Sequence, residues 1–169
     1  IPFVGIFTGY ILHPSYIATR GEVGAPTLRP FKASFVLEWK GMNAATASLE
    51  LAAQDDGSWR YGSRNNARGV FRAVFPDELT QVSRLQVESG QVRPLSYRGD
   101  DGSADKSRDI ALDFDWNRRR VTGVAAKQPV DLELQAGLQD VMSVQIALIV
   151  DLLARSEERR VGQECLRLC

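Results

Sequence analysis

Cysteine is missing from the body of this 169-residue chain: Cys165 and Cys169 both fall in the last five positions. A disulfide between them would close a very short loop in a polar tail and constrain almost nothing, so no covalent framework supports the fold. Histidine is nearly absent as well. His13 stands alone, far from either thiol, and two thiols without further ligands do not make a zinc site. No run approaches 18 apolar residues, which excludes a membrane-spanning helix. Charge of one sign is lacking too, since 21 basic side chains offset 21 acidic ones. There is then no general electrostatic drive toward nucleic acid, and none is expected as a partner. Residues Ile1–Ile17, although rather apolar, have no initiating Met, basic start or cleavage site, and do not read as a signal peptide.

What is present is alternation. In Asp109–Val124, Ile110, Leu112, Phe114 and Trp116 fall on one side of an extended chain, and Ala111, Asp113, Asp115 and Asn117 on the other. Asn117, Arg118 and Arg119 supply a turn, and Val121, Thr122 and Val124 resume the pattern, so the segment reads as an antiparallel hairpin with one wet face. Similar runs recur. Phe31–Lys40 and Ala45–Ala53 make a hairpin through Gly41 and Asn43, Ser58–Asn65 a third strand, Thr80–Glu88 and Gln91–Tyr97 a hairpin through Ser89-Gly90, and Lys127–Leu134 a last strand. Asp55-Asp56-Gly57 is a turn, because calcium would need further oxygen ligands that Ser58, Trp59 and Arg60 do not supply. The polar stretch Gly99–Arg108 is a solvated connection by the same reasoning, and no metal or cofactor is expected.

One helix is expected near residues 140–154. Asp140 is placed to cap it, and Val141, Val144, Leu148 and Leu152 form a stripe, widened by Ala147, Ile149 and Leu153, that is expected to lie on the concave face of the sheet. The fold class is therefore mainly β with one main α-helix, a curved, half-barrel-like antiparallel sheet packed on that helix. Residues 1–27, broken by Pro2, Gly5, Gly9, Pro14, Gly21, Gly24 and Pro26, read as a leader of little order, and 28–155 as the domain.

Two sets of residues are candidates for function. Val70, Phe71, Val74 and Phe75 recur at helical spacing before Pro76 and form a short amphipathic turn. They are either a hydrophobic lip for a lipid or protein partner, or a plug completing the core. Asp113 and Asp115, about 7 Å apart by the rise of a strand, are the nearest approach to a hydrolytic acid pair. Solvent-facing acids on an amphipathic strand are the ordinary alternative, and no catalytic residue is assigned.

The order PFKASFVLEWKG, DGSWRYGSRNNARGVFRAVFPDELTQVSRL, RPLSYR, LDFDWNRRRV and LQAGLQDVMSVQIAL is similar to a bacterial exported family catalogued only as a domain of unknown function (number 3108). The likeness covers Pro30 to about Ala154 and implies a periplasmic or envelope protein of a Gram-negative bacterium, without catalytic residues to carry over. It also implies further strands after the helix, whereas Ser156–Cys169, SEERRVGQECLRLC, resembles translated adaptor sequence. The chain is accordingly expected to be an interrupted domain with a non-native tail at 156–169. Its expected function is non-catalytic, binding an apolar ligand or a protein partner on the curved sheet; a hydrolase using Asp113 and Asp115 and a purely structural module are the alternatives.

Overall fold

A computed structural model describes residues 28–167 except Val74, with side chains described as far as Arg155. Eight strands follow one another in a single open, curled antiparallel sheet, each bonded to its neighbours in chain order. They are β1 (Phe31–Trp39), β2 (Met42–Ala53), β3 (Trp59–Ala67), β4 (Leu79–Glu88), β5 (Gln91–Asp100), β6 (Ile110–Asp115), β7 (Arg120–Ala125) and β8 (Gln128–Glu133). A five-residue 3-10 turn, Gly69–Ala73, joins β3 to β4, and one helix, α1 (Ser143–Arg167), follows the sheet. The expected leader at 1–27, with His13, lies outside the described residues.

The alternation seen in the sequence survives across the register. Leu51 pairs with Tyr61, Tyr61 with Ser83, Ser83 with Tyr97, Tyr97 with Leu112 and Phe114 with Val121, so one face is apolar from strand to strand. The other face carries Lys32, Glu50, Arg60, Arg84, Arg98, Asp113 and Asp131, with Lys32 directly opposite Glu50 and Arg60 directly opposite Arg84. Turns with left-handed backbone close the hairpins: Lys40-Gly41 (φ +50° and +75°) and Ser89-Gly90 (+50° and +76°) match the right-handed twist of their strands. Pro94 sits inside a central strand because a bulge between Arg84 and Leu85 absorbs the missing donor. Gly123 is obligatory, since a Cβ there would lie 2.0 Å from the Ala111 carbonyl oxygen on β6.

The core lies between the apolar face and α1. Leu51, Tyr61, Leu85, Val92, Tyr97, Phe114 and Val121 of the sheet meet Leu134, Met142 and Ile146, and all are buried. Asp140 caps the helix as its position suggests: the Met142 and Ser143 N–H groups donate to Asp140 Oδ1 at 2.8 and 2.9 Å, and the Asp140 N–H donates to Ser143 Oγ at 2.9 Å. Its other oxygen accepts from Ser83 Oγ on β4 at 2.8 Å, inside the core. Tyr61 adds a second tie by donating to Gln145 Oε1 at 3.0 Å.

These bonds correct the rotation expected for the helix. Met142 and Ile146 face the sheet with partial cover of Ala147, Ile149 and Val150, while Val141, Val144, Leu148 and Leu152, the stripe expected to be buried, stand in solvent, Leu152 at 65 % exposure. Both sides of the helix are apolar, so periodicity could not choose between them; the buried bond from Ser83 to the cap does. The helix also extends past the end expected near residue 154, its backbone remaining helical through Arg167.

Candidate functional site

Strand order places the β1–β2 hairpin and the Gly69–Ala73 turn at one end of the sheet, where the Arg68 N–H donates to the Ala44 carbonyl at 2.8 Å. Phe71 meets Trp39 edge to face, with ring centroids 6.0 Å apart and planes at 90°. Phe71 thus serves as the inner, packing residue of the segment, as a plug would. Val70 and Phe75 do not share its role: Val70 is 75 % exposed and Phe75 also stands open. Val74 lies outside the described residues. Beside them Trp39 is 52 % exposed, Met42 and Phe35 are exposed, and the Lys40 ammonium sits 4.7 Å over the Trp39 ring. The segment packs through Phe71 and leaves Val70 and Phe75 exposed, next to a hairpin whose Trp39 and Met42 are exposed as well. The missed signal is the run Leu37, Trp39 and Met42, which continues the apolar face past the last residue that α1 covers.

The carboxylates of the other candidate pair are held by arginines. Asp113 accepts from Arg98 Nη2 at 2.7 Å, and Asp115 accepts the Arg118 N–H at 2.8 Å, both on the wet face that alternation assigned them. Neither lines the hollow of about 380 Å³ that opens on the wet face across β4, β5, β6 and β7, although Arg98, which holds Asp113, does. Its lining includes Thr80, Val82, Ala111 and Val124, small enough to leave a depression, with Arg98, Asp100, Lys106, Asp109 and Lys127 contributing charge.

At this hollow the connection after β5 gathers acids that the sequence scattered. One carboxylate oxygen from each of Asp100, Asp101 and Asp109 lies within 4.8 Å of the others, the one such group among the described residues. Local bonding already occupies two of them. Asp100 accepts from Lys106 Nζ at 2.8 Å and from the Gly102 N–H at 2.9 Å, which hold its carboxyl below the usual carboxylate range, the lysine contributing most. Asp101 is depressed chiefly by the Ser103 hydroxyl, 2.5 Å away, with Arg108 nearby at 3.1 Å. Lys106 is raised in turn by Asp100. The cluster is a turn built from Asx hydrogen bonds with its charge balanced locally. Its sequence signal, GDDG followed by RD, was visible; the closing contact with Asp109 was not, because it depends on the start of β6.

No curated protein and no solved structure matches the chain. The family model described as "Protein of unknown function (DUF3108)" matches residues 34–161, most of the chain, and the protein whose open sheet and apolar tip are described above belongs to that family.

Proposed function

We propose that this chain is a non-catalytic binding module of the bacterial cell envelope, which takes an apolar ligand or partner at the tip formed by Trp39, Met42, Val70 and Phe75. The observation that carries the reading is the exposure of those four large apolar side chains together at one end of the sheet, around a Trp39–Phe71 contact that holds them in place. Monomeric proteins seldom leave clustered apolar surface open unless something covers it. The acid pair fits a reading without catalysis, since Asp113 and Asp115 are each engaged by an arginine and neither carboxylate lines the hollow. The envelope assignment rests on the family likeness, and fractionation of cells expressing the natural gene tests it separately.

Titration with dansyl-undecanoic acid, an alkyl chain that brightens in apolar surroundings, tests the site. Saturable enhancement with the wild type that is lost in Trp39→Ala with Phe75→Ser is the expected result. Equal enhancement in both proteins, or none in either, overturns the reading.

A further inference from the structure

We infer that the occupant of this tip is the interface of an anionic lipid bilayer, an inference that rests on the apolar-tip reading above and specifies its partner. The apolar residues at the tip are of the kind that settles at headgroup depth: an exposed tryptophan, Trp39, with Met42, Val70 and Phe75 around it. Tryptophan is favoured there because its ring is apolar and its Nε1–H can still be solvated.

Cations without an acid partner stand beside the tip. Lys40 lies over Trp39, and Arg68 and Arg72 flank Val70 and Phe71 in the chain; all three are exposed, and none forms an ion pair with another described residue. Across β1, β2, the Gly69–Ala73 turn and the residues that lead from it to β4 the acids are Glu38, Glu50, Asp77 and Glu78; Asp77 is paired with Lys106 at 3.9 Å, and Glu78 accepts from Asn66 Nδ2 at 2.8 Å. Glu50 is taken by Lys32 at 3.6 Å, and Glu38 alternates to the side of β1 opposite Leu37 and Trp39. Elsewhere on the sheet the basic side chains mostly have acid partners: Arg84 with Asp56, Arg93 with Glu88, Arg98 with Asp113, Lys106 with Asp100, Arg108 with Asp101, Arg120 with Asp131. Of the described cations without an ion pair, Lys40, Arg68 and Arg72 lie next to the exposed aromatics, while Arg29, Arg60 and Arg64 lie elsewhere. That pairing of features fits lipid phosphates above acyl chains better than it fits a purely apolar peptide, which would leave the three cations without a task. A chain neutral overall can still bind such a surface, because screening limits the interaction to charges within about 10 Å of it.

Co-sedimentation of the full chain with vesicles tests this, using phosphatidylglycerol with phosphatidylethanolamine in one arm and phosphatidylcholine alone in the other. Binding is expected to the anionic vesicles, to weaken at high salt, and to fall about twenty-five-fold in Arg68→Gln with Arg72→Gln, taking roughly fivefold for each basic residue lost at an anionic surface. Brominated lipid should quench tryptophan emission in the wild type, with the quenched part missing in Trp39→Phe. Val70→Ser, at an exposed site where folding is not at stake, should weaken binding on its own. If dansyl-undecanoic acid binds at the tip but vesicles do not sediment the protein, the bilayer inference fails and the apolar-site reading stands. If vesicles bind equally well to the Trp39, Val70 and arginine variants, the tip is not the membrane contact and the inference fails. If neither probe binds, both readings fail.

Discussion

The centre of the sheet and its tip are built from the same alternation but end in opposite states. On β3, β4 and β5, Tyr61, Leu85 and Val92 are sealed beneath Met142 and Ile146, with Ser83 and Asp140 hydrogen-bonded inside the seal. On β1 and β2, Phe35, Trp39 and Met42 continue the pattern into solvent. What differs is cover. The helix is anchored over β4 and β5 through its cap, so it cannot also reach the β1–β2 tip. An apolar face in a strand pattern states which side avoids water, and a separate element decides how much of it succeeds.

Substitutions can sharpen that contrast. Ile146→Ala, which empties a fully buried position, should destabilise by about 4 kcal/mol, whereas Trp39→Ala, although it deletes a far larger side chain, should cost less than about 1 kcal/mol. Urea midpoints measured on both would break the comparison if the order were reversed. Next in size, Asp140→Ala should cost about 2 to 3 kcal/mol, since it strips the cap from Met142 and Ser143 and leaves Ser83 Oγ unpaired in the core. A Ser83→Ala change made on that background should then add little, and a fully additive loss would show that the two do not share one bond.

Trp116 lies between the two regimes. Half-buried, it donates from Nε1 to the Pro94 carbonyl at 2.7 Å, at the bulge where β5 departs from regular pairing. Trp116→Phe keeps the ring packing and loses the bond, so a loss near 1 kcal/mol is expected from thermal melts. An effect as large as that of Ile146→Ala would mean that the bulge depends on that donor.

Smaller still are the acids of the wet face. Asp56, Asp100, Asp101 and Asp105 all lie below the ordinary aspartate value of 3.8, each mainly through a hydrogen bond from a neighbouring serine or lysine. Because the folded values are depressed, the stability these groups contribute is fully present above the unfolded value near 3.8. It is lost as pH falls through the lower, folded values. Stability should fall in the acid range below about pH 4, and Asp100→Asn with Asp101→Asn should lower stability at pH 7 and flatten that fall, so that variant and wild type converge at low pH. An unchanged acid limb would remove these groups from the account. Least of all, Asp113→Asn with Asp115→Asn should move stability by under about 0.5 kcal/mol, as expected for exposed ion pairs, and alter no activity in a hydrolase panel. A turnover present in the wild type and lost in that variant would overturn the binding-module reading.

The candidate site was partly legible before the fold. Spacing marked Val70, Phe71 and Phe75 as an apolar turn, but it could not separate Phe71, which packs on Trp39, from Val70, which does not. Trp39 itself looked like one more strand residue. The convergence of Asp109 with Asp100 and Asp101 was hidden because the three come together only when the connection folds back to the start of β6.

By itself the sequence determined the strands, their wet and dry sides, the hairpin turns and the helix cap, because each depends on neighbours within a few residues: period-two alternation, glycine at a left-handed turn, a carboxylate beside free N–H groups. The tertiary structure alone decided which apolar side of α1 is buried. Val141, Val144, Leu148 and Leu152 are as apolar as the residues that pack, and the choice was made by Ser83, 57 positions earlier in the chain, whose hydroxyl takes Asp140 into the core and turns the helix about its axis.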